Sequence, residues 1–548
     1  MKGKQSFPVI DLIGDPLECF YQLGLRDKEE AKTIISHLQG VLSTPSPQAN
    51  RLIHSVAREL SDQVFANGNI FDRYISAYSD GLSRNKKEIA FCMLIPELMC
   101  FMSKWIPSIP TNLLGCSSFF HFNDDQSITH ARVLDFPLQG TYDRYERLVR
   151  YQMKDMPKFS SFTTAGLPYP SLTTKREDGL CLAIHQKFSD TFCKEGTSIF
   201  HYVYEILRKC ESIEDIISYS KKHPTITSWN INIATADFRV LELDILGNET
   251  RSKIHQKKPG QTLYINNDLR TDIEQKSIHL PLGIDFYNEI RTRAASDKIE
   301  VYTKKKKKTD YEFIKMVATP LYHKNKKEIY LDPLTPSSVG VSSFNTHKDE
   351  SYYIAGSAPK VYEGEVHFLK DLFSLKPHIS IKKQAAPKYD KNFKRAYGAL
   401  MQAQVAFDLK DTHGAYHNLQ MAISDFKDSP LGKVSTFYFN VLQFIHDKHT
   451  KIRKELLVEF KSLEQELPDY LADHCRLFIF RLEKILKMKI SVLANDFKNE
   501  TLREIYELEK KLPDLFFHSF ISWPMNIRID LLDIIYPHAK LLGQIKNN

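Results

Sequence analysis

The chain has 548 residues, 42% of them hydrophobic and 26% charged, with 75 lysines and arginines against 67 aspartates and glutamates for a formal charge of +8. This is ordinary globular composition at a length that holds more than one core, and a basic excess spread so thinly does not point to nucleic acid. No window approaches the roughly eighteen consecutive apolar residues of a membrane span, the first residues lack an uninterrupted apolar leader, and eight scattered cysteines without a CxxC pair suit reduced thiols in a cytoplasm.

From Leu25 to Trp105 apolar residues recur at helical spacing, as in Ile34, Ile35, Leu38 and Val41, and predict a helical N-terminal segment. Beyond Pro107 the texture changes to short β-prone runs bounded by Gly, Pro, Asn and Asp. Strands are predicted at Ser117–Phe122, Ile128–Leu134, Leu180–His185, Ile231–Ala236, Val240–Ile245, Thr262–Ile265 and Gly340–Phe344. Helices are predicted near Ser198–Lys209 and Ile213–Lys221. Strands with helices inserted as blocks, without a regular βαβ alternation, indicate an α+β, layered architecture. The lysine run Lys304–Lys308 reads as a solvated loop. Lys376–Lys391, with Pro377 and Pro387, reads as a linker. After it, amphipathic helices at Ala396–Leu409, Gly414–Phe426, Lys433–His446, Lys451–Leu467 and Leu471–Leu486 predict an appended all-α bundle. Its first pair is weakly similar to a tetratricopeptide hairpin. The domains expected are therefore residues 1–115, 116–375 and 392–548, with 376–391 between the last two.

The segment with chemical content runs Leu114-Gly115-Cys116-Ser117-Ser118, then a polar turn at Asn123-Asp124-Asp125, then His130-Ala131-Arg132-Val133-Leu134-Asp135. It reads as a hairpin whose return strand brings Arg132 and Asp135 back beside Cys116. A guanidinium near a thiol favours the thiolate, and a carboxylate can orient the groups around it. Taken alone, the same residues also describe a core cysteine and an ordinary ion pair.

Further motifs in order along the chain tip the balance. Gly14-Asp15-Pro16-Leu17-Glu18-Cys19-Phe20-Tyr21-Gln22-Leu23-Gly24 is similar to the opening element of the isopenicillin N acyltransferase (acyl-coenzyme A:penicillanic acid acyltransferase)-like family of autoproteolytic N-terminal-nucleophile (Ntn) hydrolases, with Phe20 in place of a usual glycine. That family is related to choloylglycine hydrolase and acid ceramidase. The Cys116, Arg132, Asp135 spacing resembles its nucleophile, arginine and aspartate. Asp178-Gly179-Leu180-Cys181-Leu182-Ala183-Ile184-His185-Gln186 and Trp229–Asp237 with Leu241-Glu242 resemble two of its strand motifs, and Asn266-Asn267-Asp268 its "T-N-H" motif. Arg291 matches the arginine that follows, with Arg293 as the neighbouring alternative.

The resemblance covers about residues 8–360 and implies a four-layer αββα sandwich, with residues 1–115 as a pro-segment cut from the catalytic core between Gly115 and Cys116. It implies Cys116 as nucleophile and its freed α-amino group as base. Asp135 would hold that amine, Arg132 would support the thiolate and Arg291 the aspartate, while Asn267 and Gln186 would serve as oxyanion donors. Gly115, with no Cβ, suits a strained scissile bond. The implied reaction is cleavage of a linear amide through a Cys116 thioester. The alternatives are N-acyl transfer, with acyl-coenzyme A as donor, and a degenerate enzyme core acting as a scaffold whose C-terminal helices bind a protein partner. The expected substrate is a small N-acyl or acyl-thioester molecule. No metal is expected, since neither a His-x-x-x-His pair with a third ligand nor a CxxC is present, and no Gly-rich phosphate loop or dinucleotide fingerprint indicates a cofactor.

Overall fold

The structure, a computed structural model, describes residues 7–41, 47–65, 70–103, 115–136, 138–170, 172–268, 282–319, 337–356, 365–383, 391–427, 429–514, 517–518, 526–529 and 533–536. Strand β1 (Val9–Gly14) leads into α1 (Pro16–Asp27). The Asp15 carboxylate accepts the Leu17 and Glu18 N–H groups at 2.9 and 3.2 Å, and Pro16 takes the first helical position. Both satisfy or avoid the open donors of a helix start, so the opening Gly-Asp-Pro motif is a helix cap. Phe20, the departure from that motif, is buried and stacks on Tyr74 with ring centroids 4.8 Å apart. Helices α2 (Glu30–Val41), α3 (Pro47–Phe65), α4 (Ile70–Leu82), α5 (Lys86–Met93) and α6 (Ile95–Ser103) follow. Trp105 lies outside the described residues.

The middle of the chain is mixed α/β. It runs through β2 (Gly115–Phe122), β3 (Ile128–Asp135), β4 (Glu146–Met153), β5 (Phe159–Thr164), β6 (Thr173–Arg176) and β7 (Cys181–Gln186) to α7 (Ile199–Lys209) and α8 (Ile213–Lys222). Then come β8 (Ser228–Ala234), β9 (Val240–Leu246), β10 (Glu249–His255), β11 (Thr262–Ile265), α9 (Leu282–Thr303), α10 (Asp310–Ala318), β12 (Ser338–Asn345), β13 (Glu350–Ala355), β14 (Glu365–Lys370) and β15 (His378–Lys383). The strands form an eight-stranded sheet in the order β1-β4-β5-β6-β7-β8-β9-β10 and a seven-stranded sheet in the order β11-β2-β3-β12-β13-β14-β15. Among the named strands only β1 and β4 pair in parallel, and a lone parallel bridge joins Thr197 and Thr225.

Strand alternation assigns the faces. Phe120, Phe122 and Ile128 of one sheet pack with Phe162, Cys181, Ala234 and Val240 of the other, so the sheets share an inner core. On the opposite faces, Phe119, Ala131 and Val133 meet Phe313 and Val317 of α10, while Leu241, Leu243 and Ile245 meet α7 and α8. Every strand predicted above is present. Two of those not predicted are polar: β10 is an exposed edge, and β4 carries Arg147 and Arg150 into the interior, paired with Asp27 at 2.7 Å and Asp11 at 2.6 Å.

Two boundary expectations are corrected. The segment Lys376–Lys391 is no plain linker: β15 lies within it and adds to β14 as the edge of the seven-stranded sheet, and only 384–390 fall outside the described residues. Nor is the N-terminal segment purely helical, because β1 is a strand of the larger sheet.

The C-terminal helices α11 (Lys391–Asp408), α12 (Thr412–Phe426), α13 (Pro430–His446), α14 (Thr450–Leu463), α15 (Asp469–Ile485) and α16 (Glu500–Lys511) end in a small ribbon of β16 (Asn526–Arg528) and β17 (Asp533–Ile535). So the region is not all-α. It is not a detached appendage either: its helices share one apolar cluster with α10 and the outer face of β2 and β3. A second tie is polar and buried. His37 of α2 bonds Thr141 at 2.8 Å and Asp408 of α11 at 3.2 Å, and Asp408 also takes Arg528 at 2.9 Å. No described helix is long and apolar enough to cross a membrane.

At this junction Gly40 lies against α11, where an added Cβ would come within 2.2 Å of the Asp408 carbonyl oxygen. Gly40→Ala is expected to lower stability by about 1–3 kcal/mol, despite the better helix propensity of alanine. Urea denaturation of Gly40→Ala beside Gly398→Ala, where a Cβ meets nothing within 4 Å, checks this.

Candidate active site

Cys116 is the second residue of β2, and the β2–β3 register sets Gly115 opposite Asp135 and Ser118 opposite Arg132. Period-two alternation turns Cys116, Ser118, Arg132 and Leu134 to the same inner side. All four are buried, Cys116 and Arg132 completely. Arg132 Nη2 donates to Cys116 Sγ at 2.7 Å and to the Ile184 carbonyl at 2.8 Å. Its Nη1 donates to Thr173 Oγ1 at 2.9 Å and to the Leu172 carbonyl. The thiol in turn lies 3.4 Å from the Ile184 oxygen. The guanidinium is thus fixed by oxygens of β6 and β7 and aims one edge at sulfur.

A second group closes around the backbone of Cys116. Asn267, just past β11, accepts the Cys116 N–H on Oδ1 at 2.8 Å and donates from Nδ2 to the Gln186 carbonyl at 2.9 Å. Arg291 of α9 donates to the Cys116 carbonyl at 3.2 Å, to Asp135 Oδ2 at 2.9 Å, to Asn267 Oδ1 at 3.1 Å and to Asn288 Oδ1 one turn earlier. Asp135 also accepts the Ser338 hydroxyl of β12. These partners fix the orientation of the Asn267 amide, since its oxygen faces the donors of Cys116 and Arg291 and its nitrogen the Gln186 carbonyl.

The structure therefore brings Cys116, Arg132, Asp135, Asn267 and Arg291 together from four separate stretches of chain. It decides between the two arginines as well: Arg293 is exposed and pairs with Glu289 at 3.2 Å on the solvent face of the same helix. Gln186 does not join the group. Its side chain points the other way along β7, donating to the Pro96 carbonyl at 3.1 Å and Cys100 Sγ at 2.9 Å, and only its backbone oxygen touches the site, through Asn267. The expectation of Gln186 as an oxyanion donor is corrected accordingly. The reason is parity: Gln186 shares a face with Leu182 and Ile184 and not with His185, which turns inward to Ser118 at 2.8 Å. Gly115 begins β2, opposite Asp135.

Several contributors carried no readable signal. Ser338, Leu172, Thr173 and Ile184 reach the site only through sheet pairing distant in sequence. Asn288 sits three residues before Arg291, a spacing that becomes informative only once α9 is known to be a helix. Glu97 of α6 accepts the Ile199 N–H at 2.9 Å and so caps α7, whose own Ser198 makes no cap bond. Burial pushes its carboxyl up to about 7. With Gln186 bonded to Pro96, this fastens α6, the last described element before Gly115.

Burial is the dominant electrostatic influence on Cys116 and raises its thiol above the ordinary range. The Arg132 cation opposes this, Asp135 adds to it, and Arg291 lowers it slightly. His185 is driven well below its usual range, first by burial and then by Arg132 and Lys187, and is therefore neutral and no rival cation to Arg132. A sealed neutral thiol with one guanidinium edge on sulfur can become a nucleophile, but only if its proton leaves as it attacks.

Arg291→Gln should cost about 3–5 kcal/mol by leaving Asp135 buried without its cation, whereas Arg293→Gln should stay within about 0.5 kcal/mol. Equilibrium urea denaturation of both, each in a Cys116→Ala background so that the thiol is absent from every variant alike, measures the difference.

No family model matches the chain, and no curated protein matches it. Among solved structures it is similar to a Caenorhabditis elegans N-acylethanolamine-hydrolyzing acid amidase ortholog, at 12% identity and a TM-score of 0.29 over 42% of this chain and 92% of the other. It is also similar to penicillin V acylase from Agrobacterium tumefaciens, at 12% identity and a TM-score of 0.31 over 48% of this chain and 90% of that one. Likeness at this level leaves the function to be argued from the geometry around Cys116.

Proposed function

We propose that the chain is a self-processing Ntn hydrolase, layered αββα, that cleaves a linear amide through a Cys116 thioester. The observation that carries this reading is the convergence of Arg132 on the sulfur, and of Asn267, Arg291 and Asp135 on the backbone, of one residue that directly follows a glycine. The ordered motifs along the chain support the same reading. An ordinary core cysteine has no need of two buried arginines and an asparagine around its thiol, amide and carbonyl.

In the first step Cys116 Sγ attacks the Gly115 carbonyl carbon. A C–S bond forms, the Gly115–Cys116 C–N bond breaks, and the thiol proton ends on the departing nitrogen. Water then opens the thioester, leaving a Gly115 carboxylate and a free Cys116 α-amine. That amine, with a reference pKa of about 7.7–8.0, is close enough to neutrality to take the thiol proton in later turnovers. Asp135 and the oxygen of Asn267 are the groups that would hold it, since Asn267 Oδ1 already lies 2.8 Å from this nitrogen. Arg132 favours the developing thiolate. With Gln186 turned away, Asn267 is the remaining candidate for stabilising the oxyanion; one such donor is worth about 3–4 kcal/mol. The acyl group of a substrate amide passes to sulfur and then to water.

Intact-mass spectrometry tests the first step. The wild-type protein of 63.5 kDa is expected to separate under denaturing conditions into pieces of about 13 and about 50 kDa, scaling mass by residue share, while Cys116→Ala stays whole. A wild-type chain that stays whole on prolonged incubation would remove the reading. The pH dependence has a definite sign. Because burial holds the thiol above its ordinary range, the cleavage rate should rise with pH up to and beyond 9. Arg132→Gln removes the cation that favours the thiolate, so its profile should shift to higher pH and run slower at every pH below the plateau. A stopped time course across pH, read by gel, checks both.

A further inference from the structure

Away from Cys116, a cavity of about 630 Å³ opens between α3 and the C-terminal helices. Arg51, His54, Ser55 and Arg58 line one wall at helical spacings of three, four and seven, so a single face of α3 is presented to it. The opposite wall is Phe407, Lys410 and Thr412 at the α11–α12 turn, with His446 at the end of α13. Lys410 sits in the left-handed region with φ of 63°, which puts it at the apex of that turn.

The charge in this cavity is one-sided. Three permanent cations line it, and among the described residues no carboxylate does. Nor does any described carboxylate pair with Arg51, Arg58 or Lys410 from outside. The two nearest in sequence to Lys410 are committed elsewhere: Asp408 to His37 and Arg528, and Asp411 to the Gly414 N–H at the start of α12. His54, stacked on Phe91 with centroids 5.9 Å apart, reports the resulting field. Burial, then Lys410 and Arg58, lower its pKa, so it faces the cavity as a neutral imidazole. Like charges gathered without counter-charges repel one another, and a bound anion relieves this.

We propose that this cavity is a binding site for a small phosphate-bearing anion. A single carboxylate would offset one of the three cations. A phosphoryl or pyrophosphoryl group carries the higher charge and the several acceptor oxygens that forked guanidiniums and an ammonium satisfy. Ser55 and Thr412 add hydroxyl donors, and Phe407 offers an apolar surface to whatever carries the phosphate. The volume falls in the small-ligand range of about 300–1,000 Å³, too confined for a nucleic-acid duplex.

Isothermal titration calorimetry at constant ionic strength tests this on the full-length chain, with inorganic pyrophosphate as the first probe and ADP as the second. Saturable binding is expected, weakened at least about tenfold in Arg58→Gln/Lys410→Gln, the loss of two charge-assisted contacts. Both side chains are exposed, and unchanged far-ultraviolet circular dichroism confirms that the variant folds. Tighter binding of ADP than of pyrophosphate supports a free metabolite with a ring against Phe407. Sedimentation with phosphatidylcholine vesicles only when they contain phosphatidic acid, lost in the same variant, supports a lipid headgroup as the source of the phosphate. Absence of saturable binding to all three probes overturns the proposal, and so does equal binding by wild type and variant.

Discussion

Burying a guanidinium costs several kcal/mol unless its N–H groups find acceptors, and the centre of this molecule buries two. Arg132 meets the requirement at both Nη groups, with the carbonyls of Leu172 and Ile184, the Thr173 hydroxyl and the Cys116 sulfur, while its Nε has no partner among the described residues. Arg291 likewise meets it at both Nη groups, with Asp135, Asn267, Asn288 and the Cys116 carbonyl, its Nε again without a partner among the described residues. The acceptors come from both sheets and from α9, so the two arginines act as pins through the sandwich. Where β7 sits relative to β2, and α9 relative to β11, follows from this need. Cys116 is the residue at which the two sets of bonds meet.

The same burial governs reactivity. A thiol sealed from water and raised above its usual range is quiet, which protects a cysteine in the folded interior from oxidation and stray alkylation. Arg132 partly offsets that suppression without abolishing it. Under the proposed chemistry the arrangement would separate having a nucleophile from deploying it, because the proton must leave together with the attack.

The hairpin from Cys116 to Asp135 was legible because strand parity and turn chemistry are local, and Arg132 and Asp135 fall where those rules put them. Asn267 and Arg291 were legible only through the order of motifs, since nothing nearby in sequence announces that the end of β11 and a turn of α9 converge on β2. Gln186 shows where motif order fails. Its position on β7 was readable, but one step of parity decides whether a side chain faces the site or α6, and strand boundaries in sequence are not sharp enough to settle one step. The supposed linker fails for a related reason. His378–Lys383 is a lysine-rich edge strand, and an edge that must avoid sticking to other chains is built from residues that look like loop. The six β1 pairings were missed although four of the six residues of Val9–Gly14 are apolar, because Asp11 and Gly14 interrupt a run too short to tell a strand from a loop by periodicity alone.

Strand β1 also carries a topological consequence. It is the outermost strand of the eight-stranded sheet and lies on the far side of Gly115 in sequence, along with Asp27, which grips Arg147, and His37, which reaches Asp408. If the backbone opens before Cys116, these residues change from neighbours on one chain to a non-covalent subunit. Their departure would uncover the backbone donors and acceptors of β4 and strand a buried arginine. The opened protein would then be a heterodimer whose interface was folded as an interior, made while its two parts were still a single molecule.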